Sequence, residues 1–196
     1  YLNPEFGILE YLLEQKKNGR IKHLGFSTHG GLDVMKRFLA AYGMHMEFCQ
    51  IQLNYMDWHF QEADEKVRLL NEAGIPIWVM EPLRGGRLAN VSDEKAAVLK
   101  AMRPEESIPE WGFRFLQSIP GVTVVLSGMS NMEQLKANIE TYSTDEPLNE
   151  NEFHTLTAMA DEETKKGGLP CTACRYCITH CPQALPIPQI ISLYNE

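Results

Sequence analysis

Four cysteines near the end of the chain carry the strongest chemical signal. Cys171, Cys174, Cys177 and Cys181 read C-x2-C-x2-C-x3-C-P, closed by Pro182. This is the ligand spacing of bacterial iron–sulfur sites. Thiolates separated by two residues can wrap adjacent corners of a 4Fe-4S cube, and the proline turns the chain away while removing one backbone donor. In proteins with two clusters, the first three cysteines of such a run hold one cluster and the fourth reaches toward the other. Cys171, Cys174 and Cys177 are therefore expected to hold one 4Fe-4S cluster and Cys181 to reach toward a second. The second C-x2-C-x2-C run that this implies does not follow before Glu196. Zinc is the alternative for four cysteines, although it typically pairs two C-x2-C elements across a longer gap. A disulfide framework suits neither the tight spacing nor a chain without a secretion signal. The fifth cysteine, Cys49, lies on the helix-facing side of a strand and reads as core.

Other candidates are spread along the chain. In residues 47–53, Phe48, Gln50 and Gln52 alternate with Cys49, Ile51 and Leu53, so two amides share one strand face. An amide on an inward face needs a partner, which makes Gln50 a candidate ligand contact. Ser27 ends a strand and offers its hydroxyl to a turn or to a ligand. In the loop EPLRGGRL, Gly85 and Gly86 suit a tight turn, and backbone N–H groups with Arg84 suit an anion. Ser130 and Glu133 have capping-box spacing, so Ser130 is expected to cap a helix whose start suits phosphate. His29 belongs to a strand-end loop. Trp58 and Trp111 read as packing residues.

The elements that must position these residues follow from hydrophobic periodicity. Helices are expected over 4–18, from Leu32 to Leu39, from Phe60 to Leu70, over 93–102 and 108–118, from Ser130 to about 141, and near 149–163. Strands are expected over 21–27, 47–53, 75–80 and 122–127. Ser107 and Glu110 form a second capping-box pair. Lys165-Lys166-Gly167-Gly168 reads as a linker, and residues 171–196 are a different kind of sequence, punctuated by Cys and Pro.

Strand and helix alternate four times between residues 21 and 141, which implies an α/β fold with a parallel sheet and crossover helices. A closed barrel needs eight such units and typically about 250 residues. Polar, glycine-bearing loops at the strand ends and the inward Gln50 and Gln52 nevertheless suit a barrel. The expectation is half of a (β/α)8 TIM barrel over 1–164, then a small ferredoxin-like Cys-rich segment over 165–196. A half barrel leaves two strand edges open. The missing half, or a homo-oligomer, is expected to cover them.

Composition narrows the partners. The chain has 196 residues, with 18 Lys and Arg against 26 Asp and Glu, for a formal charge of −8. Apolar residues at 44% and charged residues at 22% are ordinary for a globular domain and argue against disorder. The acidic balance argues against nucleic acid or an anionic membrane surface as partner. Uncharged stretches are broken by Pro, Gly, Ser, Thr and Asn, so no membrane span is expected. No signal segment opens the chain, and iron–sulfur thiolates need reducing conditions, so a cytoplasmic location is expected. Tyr1 is not a natural initiator, and the chain is expected to begin within a longer protein.

The pieces IKHLGFSTHG, FCQIQLNY, GIPIWVMEPLRGG, VTVVLSGMSNMEQLKAN and CTACRYCITHCPQALPIP occur in that order. Together they resemble the aldo/keto reductases that carry a C-terminal ferredoxin-like segment. The resemblance implies the C-terminal half of a (β/α)8 TIM barrel that binds NAD or NADP in extended form. It implies that Ser27 and Gln50 meet the nicotinamide carboxamide. Met80 falls where many members place a tyrosine that stacks on the ring, a departure that a thioether partly covers. Pro82, Leu83, Arg84, Gly85 and Gly86 match the loop over the pyrophosphate, and Ser130, Gln134 and Asn138 the helix start at the adenosine end. Gln134 stands where NADPH-preferring members have arginine, with Lys136 nearby, so NADH and NADPH both stay open.

The family's catalytic Asp, Tyr, Lys and His belong to the first half of its barrel. None of His23, His29, His45 or Tyr55 is placed by motif to replace them. The resemblance implies a parent oxidoreductase acting on a small carbonyl or alcohol substrate, linked through iron–sulfur centres to an electron-transfer partner. The isolated chain is expected to lack turnover. A non-enzymatic metal-binding or electron-carrier module on a barrel-like scaffold is the competing expectation.

Overall fold

The computed structural model describes residues 3–165, 171 and 175–195. After a short 3-10 turn, helix α1 (Ile8–Lys17) leads to strand β1 (Phe26–Thr28), helix α2 (Leu32–Tyr42) and strand β2 (Cys49–Gln52). Helices α3 (Asp57–Phe60) and α4 (Ala63–Glu72) precede strand β3 (Ile77–Met80). Helices α5 (Asp93–Met102) and α6 (Ile108–Gln117) precede strand β4 (Val122–Val125) and helix α7 (Met132–Ser143). Helix α8 (Glu150–Lys165), the short α9 (Tyr176–His180) and α10 (Ile187–Asn195) complete the described chain.

The four strands form one parallel sheet in the order β1-β2-β3-β4. Consecutive parallel neighbours joined by helical crossovers are the repeating unit of a (β/α) barrel, here with four strands and β1 and β4 at the edges. Burial follows the alternation read from sequence. Cys49, Ile51, Ile77 and Val79 are wholly buried on the helix side, against Met35, Leu70, Phe115 and Leu156. The opposite face carries Ser27, Phe48, Gln50, Trp78 and Met80, all partly or largely exposed. There Phe48 stacks on Trp78 with ring centroids 3.9 Å apart and 12° between planes. On the helix side, Trp58, Phe115 and Phe153 pack as an aromatic cluster that seats α8 on α3 and α6.

Three local departures from the sequence reading have physical causes. β1 is shorter than 21–27, because the N–H groups of Arg20 and Ile21 are spent on the Gln15 carbonyl that ends α1. The helix expected from Phe60 to Leu70 is two helices. Glu62 adopts φ 52°, which breaks the turn and lets α3 stay at the strand ends while α4 packs on β2. Ser130 does not cap α7. The cap is Asn131, whose Oδ1 accepts from Gln134 N at 2.8 Å. The Gln134 side chain reaches back past the cap to Ser130 N, also at 2.8 Å, so the cap stands one residue later than expected and is not the reciprocal box read from sequence. The Ser107–Glu110 box stands as read, with Ser107 N donating to Glu110 Oε2 at 2.5 Å. Part of the expected linker, residues 166–168, lies outside the described residues, as does Cys174. α8 runs on through Lys165.

Candidate functional site

The C-terminal ends of the strands converge on one rim. Register places Ser27 beside Gln50, Gln50 beside Trp78, and Gln52 beside Met80. Gln50 Nε2 approaches Met80 Sδ at 3.8 Å. The three residues expected at the nicotinamide end, Ser27, Gln50 and Met80, thus lie on adjacent strands. They share the sheet face turned away from the core.

The residues expected at the phosphate and adenosine end meet elsewhere on the rim. Pro82, Leu83, Gly85, Gly86, Gln134 and Asn138 line a single cleft of about 320 Å³, within the range of small-molecule sites. Gly85 and Gly86 have φ 64° and 87°, the left-handed region that glycine enters without steric cost. A Cβ at Gly86 would meet no protein atom. Gly112 of α6 is the opposite case: a Cβ there would stand 2.6 Å from Leu83 Cδ2. Its absence lets the loop lie directly on α6. Asn138 Nδ2 donates to Ser127 Oγ at 3.1 Å and pins α7 to the end of β4. Ser130 is exposed at the start of α7 and does not line the cleft; nor do Ser27, Gln50 and Met80.

Arg84 also stands apart from the cleft. Its neighbours in the loop line one side, whereas Arg84 lines a groove on the other with Arg87, Leu88 and Lys95. Its guanidinium lies over Phe60, with Cζ 5.7 Å from the ring centroid. Arg84 Nη2 lies 3.4 Å from Asp57 Oδ1. Asp57 is completely buried and is the hub of the rim. Its Oδ2 accepts from Gln52 Nε2 and Asn54 Nδ2, each at 2.8 Å. Asn54 also donates to the Glu81 carbonyl at 2.9 Å and accepts from Asp57 N at 2.9 Å. β2, α3 and the loop after β3 are thereby locked together.

The family profile described as Aldo/keto reductase family matches residues 4–161. The chain belongs to this family. No curated protein matches it. Among solved structures, an aldo-keto reductase from Bacillus halodurans in its apo form is similar, with a TM-score of 0.65 at 20% identity. That match covers 81% of this chain and 58% of the other. The holo form of the same enzyme gives a TM-score of 0.62 at 21% identity, covering 76% and 54%. An aldo-keto reductase from Klebsiella pneumoniae, solved in complex with NADPH, gives 0.62 at 16% identity, covering 78% and 52%. At these identities the likeness shows the fold. This aldo/keto reductase chain spans little more than half the length of those structures.

Three titratable groups of the aldo/keto reductase chain have environments that bear on chemistry. Burial holds the Tyr55 phenol well above its ordinary range, and its ring packs edge-on to Phe115. Burial also pushes the Cys49 thiol up to about 12, as befits a core cysteine. His29, just beyond β1, has its pKa lowered, first by burial and then by the Lys66 ammonium, with Glu81 opposing. Of the cysteine run, Cys171, Cys177 and Cys181 are partly exposed thiols. Four thiolates suit an iron–sulfur cluster by donor chemistry. Among the described residues, however, no three His, Cys, Asp or Glu side chains gather as a metal-ligand group. No described helix is long and apolar enough to cross a membrane.

Asp57 and Asn54 escaped the sequence reading. The signal was an Asp set among apolar and aromatic residues in LNYMDWHF, three positions after an Asn. An ionisable group in such surroundings needs partners supplied by the fold.

Proposed function

We propose that the rim is the binding site of NAD or NADP and that the parent protein is an oxidoreductase acting on a small carbonyl or alcohol. The observation that carries this reading is the shared cleft. Pro82, Leu83, Gly85 and Gly86 from one loop meet Gln134 and Asn138 from α7, with a glycine backbone that a phosphate can approach closely. The Klebsiella pneumoniae structure, solved with NADPH, supports the assignment through the shared fold.

The dinucleotide supplies hydride chemistry when bound. The chain's own residues bind and orient. Gln50 and Ser27 offer an amide and a hydroxyl on adjacent strands to a carboxamide, and Met80 offers a polarisable surface to a ring. The glycine-bearing loop offers its backbone to phosphates. No Lys or Arg of the described residues lines the cleft. Phosphate recognition there falls to backbone dipoles.

Carbonyl reduction also needs a proton donor. Tyr55 is unsuited, since it is buried outside the cleft with its pKa raised. We therefore infer that this chain alone binds the dinucleotide without turning over a carbonyl. Cys171, Cys174, Cys177 and Cys181 are proposed as iron–sulfur ligands on the strength of their spacing, with an electron-transfer partner for the parent protein.

Titration of the full chain with NADH and with NADPH, followed by nicotinamide fluorescence, tests the first part. Saturable binding in the micromolar range is expected, and no binding at millimolar dinucleotide would refute it. Iron, zinc and acid-labile sulfide per chain after anaerobic purification test the second. Iron and sulfide in equal amounts are expected; zinc near one per chain would replace redox chemistry with a structural metal module.

A further inference from the structure

The loop from Glu81 to Gly86 is a wall with two faces. Pro82, Leu83, Gly85 and Gly86 face the cleft, and Arg84 leaves it for the groove behind. In that groove Arg84 Nη2 donates to the Cys171 carbonyl at 3.3 Å and lies 3.4 Å from Asp57 Oδ1. Only 12% of the Arg84 side chain is exposed, and none of Asp57. Glu81 and Arg84 hold φ 57° and 49°, a conformation that is costly outside glycine and persists where the surroundings enforce it. Here the enforcing contacts are Asn54 on the Glu81 carbonyl and Asp57 beside the guanidinium.

The loop is also internally stiff. Arg84 N donates to Glu81 O at 3.0 Å and Gly86 N to Leu83 O at 2.9 Å, which makes two overlapping turns. The cleft face and Arg84 thus belong to one short piece of hydrogen-bonded backbone. The link is also under-satisfied. Arg84 Nε, Asp57 Oδ1 and Gln52 Oε1 are buried without a hydrogen-bond partner among the described residues. Unpaired polar atoms at such depth are costly, so an arrangement that gives them partners is favoured over this one.

We infer that Arg84, held by Asp57, couples the cleft to the cysteine run, so that filling the cleft changes the exposure of Cys171. The coupling takes its ligand from the dinucleotide reading of the cleft; the Asp57–Arg84–Cys171 link does not depend on that reading. Coupling of this kind is reciprocal: if a bound dinucleotide alters the docking of Cys171, that docking alters dinucleotide affinity by the same factor.

Site-resolved alkylation of the metal-free, reduced full chain by iodoacetamide, read by mass spectrometry, tests it. Without ligand, Arg84→Met is expected to speed alkylation of Cys171 about fivefold or more, within the usual range of such couplings. Asp57→Asn should act in the same direction. Arg84→Lys keeps the charge but loses the planar fork, so partial restoration is expected. Arg87→Met, in the same groove but exposed, should leave the rate unchanged. Cys49 is wholly buried and reports folding, since a misfolded variant would alkylate there too. Saturating NADH or NADPH is expected to shift the Cys171 rate in the wild type and not in Arg84→Met.

A wild-type rate in folded Arg84→Met overturns the link. A ligand-induced shift that survives Arg84→Met overturns the coupling. If fluorescence shows no dinucleotide bound to the wild type, the cleft reading and the coupling fall together, and the ligand-free rates still decide the link.

Discussion

At the end of α5 and along α6, Arg103 and Arg114 use nearly every donor they have. Arg103 grips the Glu152 carboxylate with Nε at 2.9 Å and Nη2 at 2.7 Å, and gives Nη1 to Glu106 at 3.0 Å. Arg114 gives Nε to Glu106 at 3.0 Å and its remaining nitrogens to Gln117, Thr141 and Thr144. On the rim, Asp57 and Arg84 are as deeply set, yet Arg84 uses a single nitrogen for both its neighbours. Its Nε has no hydrogen-bond partner among the described residues, and nor has Asp57 Oδ1, which Arg84 meets only as an ion pair. The first network is a brace that ties α5, α6, α7 and α8 together. The second joins the strand-end rim to Cys171 through a single guanidinium nitrogen. Barrels separate such roles, with chemistry at the C-terminal strand ends and stability elsewhere.

Breaking the brace should cost the most. Arg103→Met leaves Glu152 buried without its bidentate partner, and a loss of about 3 kcal/mol is expected in urea unfolding. The brace also has a pH signature. Hydrogen bonds from Arg103 lower the Glu152 pKa, against the opposing effect of burial. A lowered folded-state pKa gives stability that is fully present above the ordinary carboxylate range and is lost as pH falls through the folded value. Urea midpoints measured between about pH 6 and pH 3 should fall with acid, less steeply in Arg103→Met.

The rim should be softer. Asp57→Asn keeps the shape and removes the charge beside Arg84, and a loss of about 1–2 kcal/mol is expected by the same measurement. A loss as large as that of Arg103→Met would erase the contrast between the two networks. Gly112→Ala places a methyl against Leu83 and should weaken dinucleotide binding more than it lowers the melting temperature. Equal effects on both would mean that the loop is part of the brace. The smallest effect separates the two capping candidates. Asn131→Ala should cost about 1 kcal/mol, and Ser130→Ala should cost clearly less.

Much of the barrel half was legible in sequence, because alternation and helical period report burial directly. The apolar set Cys49, Ile51 and Leu53 is on the buried face, as their spacing required. The meeting of the 82–86 loop with Gln134 and Asn138 followed from the family resemblance, and periodicity would not have found it. Three things were hidden. The break at Glu62 rests on a left-handed φ of 52° at a residue other than glycine, which helical periodicity does not signal. The cap moved from Ser130 to Asn131 because both residues are good caps and the geometry at the end of β4 chooses between them. α10 was masked by Pro186 and Pro188, read as loop punctuation although proline is tolerated in a first helical turn. Arg84 is the most instructive case. Its position in the loop suggested a phosphate contact, and its left-handed backbone turns it to Asp57 and Cys171 instead.

Hydrogen exchange of the full chain with and without saturating NADH or NADPH tests most directly that the rim binds a dinucleotide while the brace only supports it. Slower exchange is expected in residues 82–86 and 127–138, with residues 103–117 unchanged. Protection confined to 103–117, or none anywhere at millimolar dinucleotide, would contradict that division of labour.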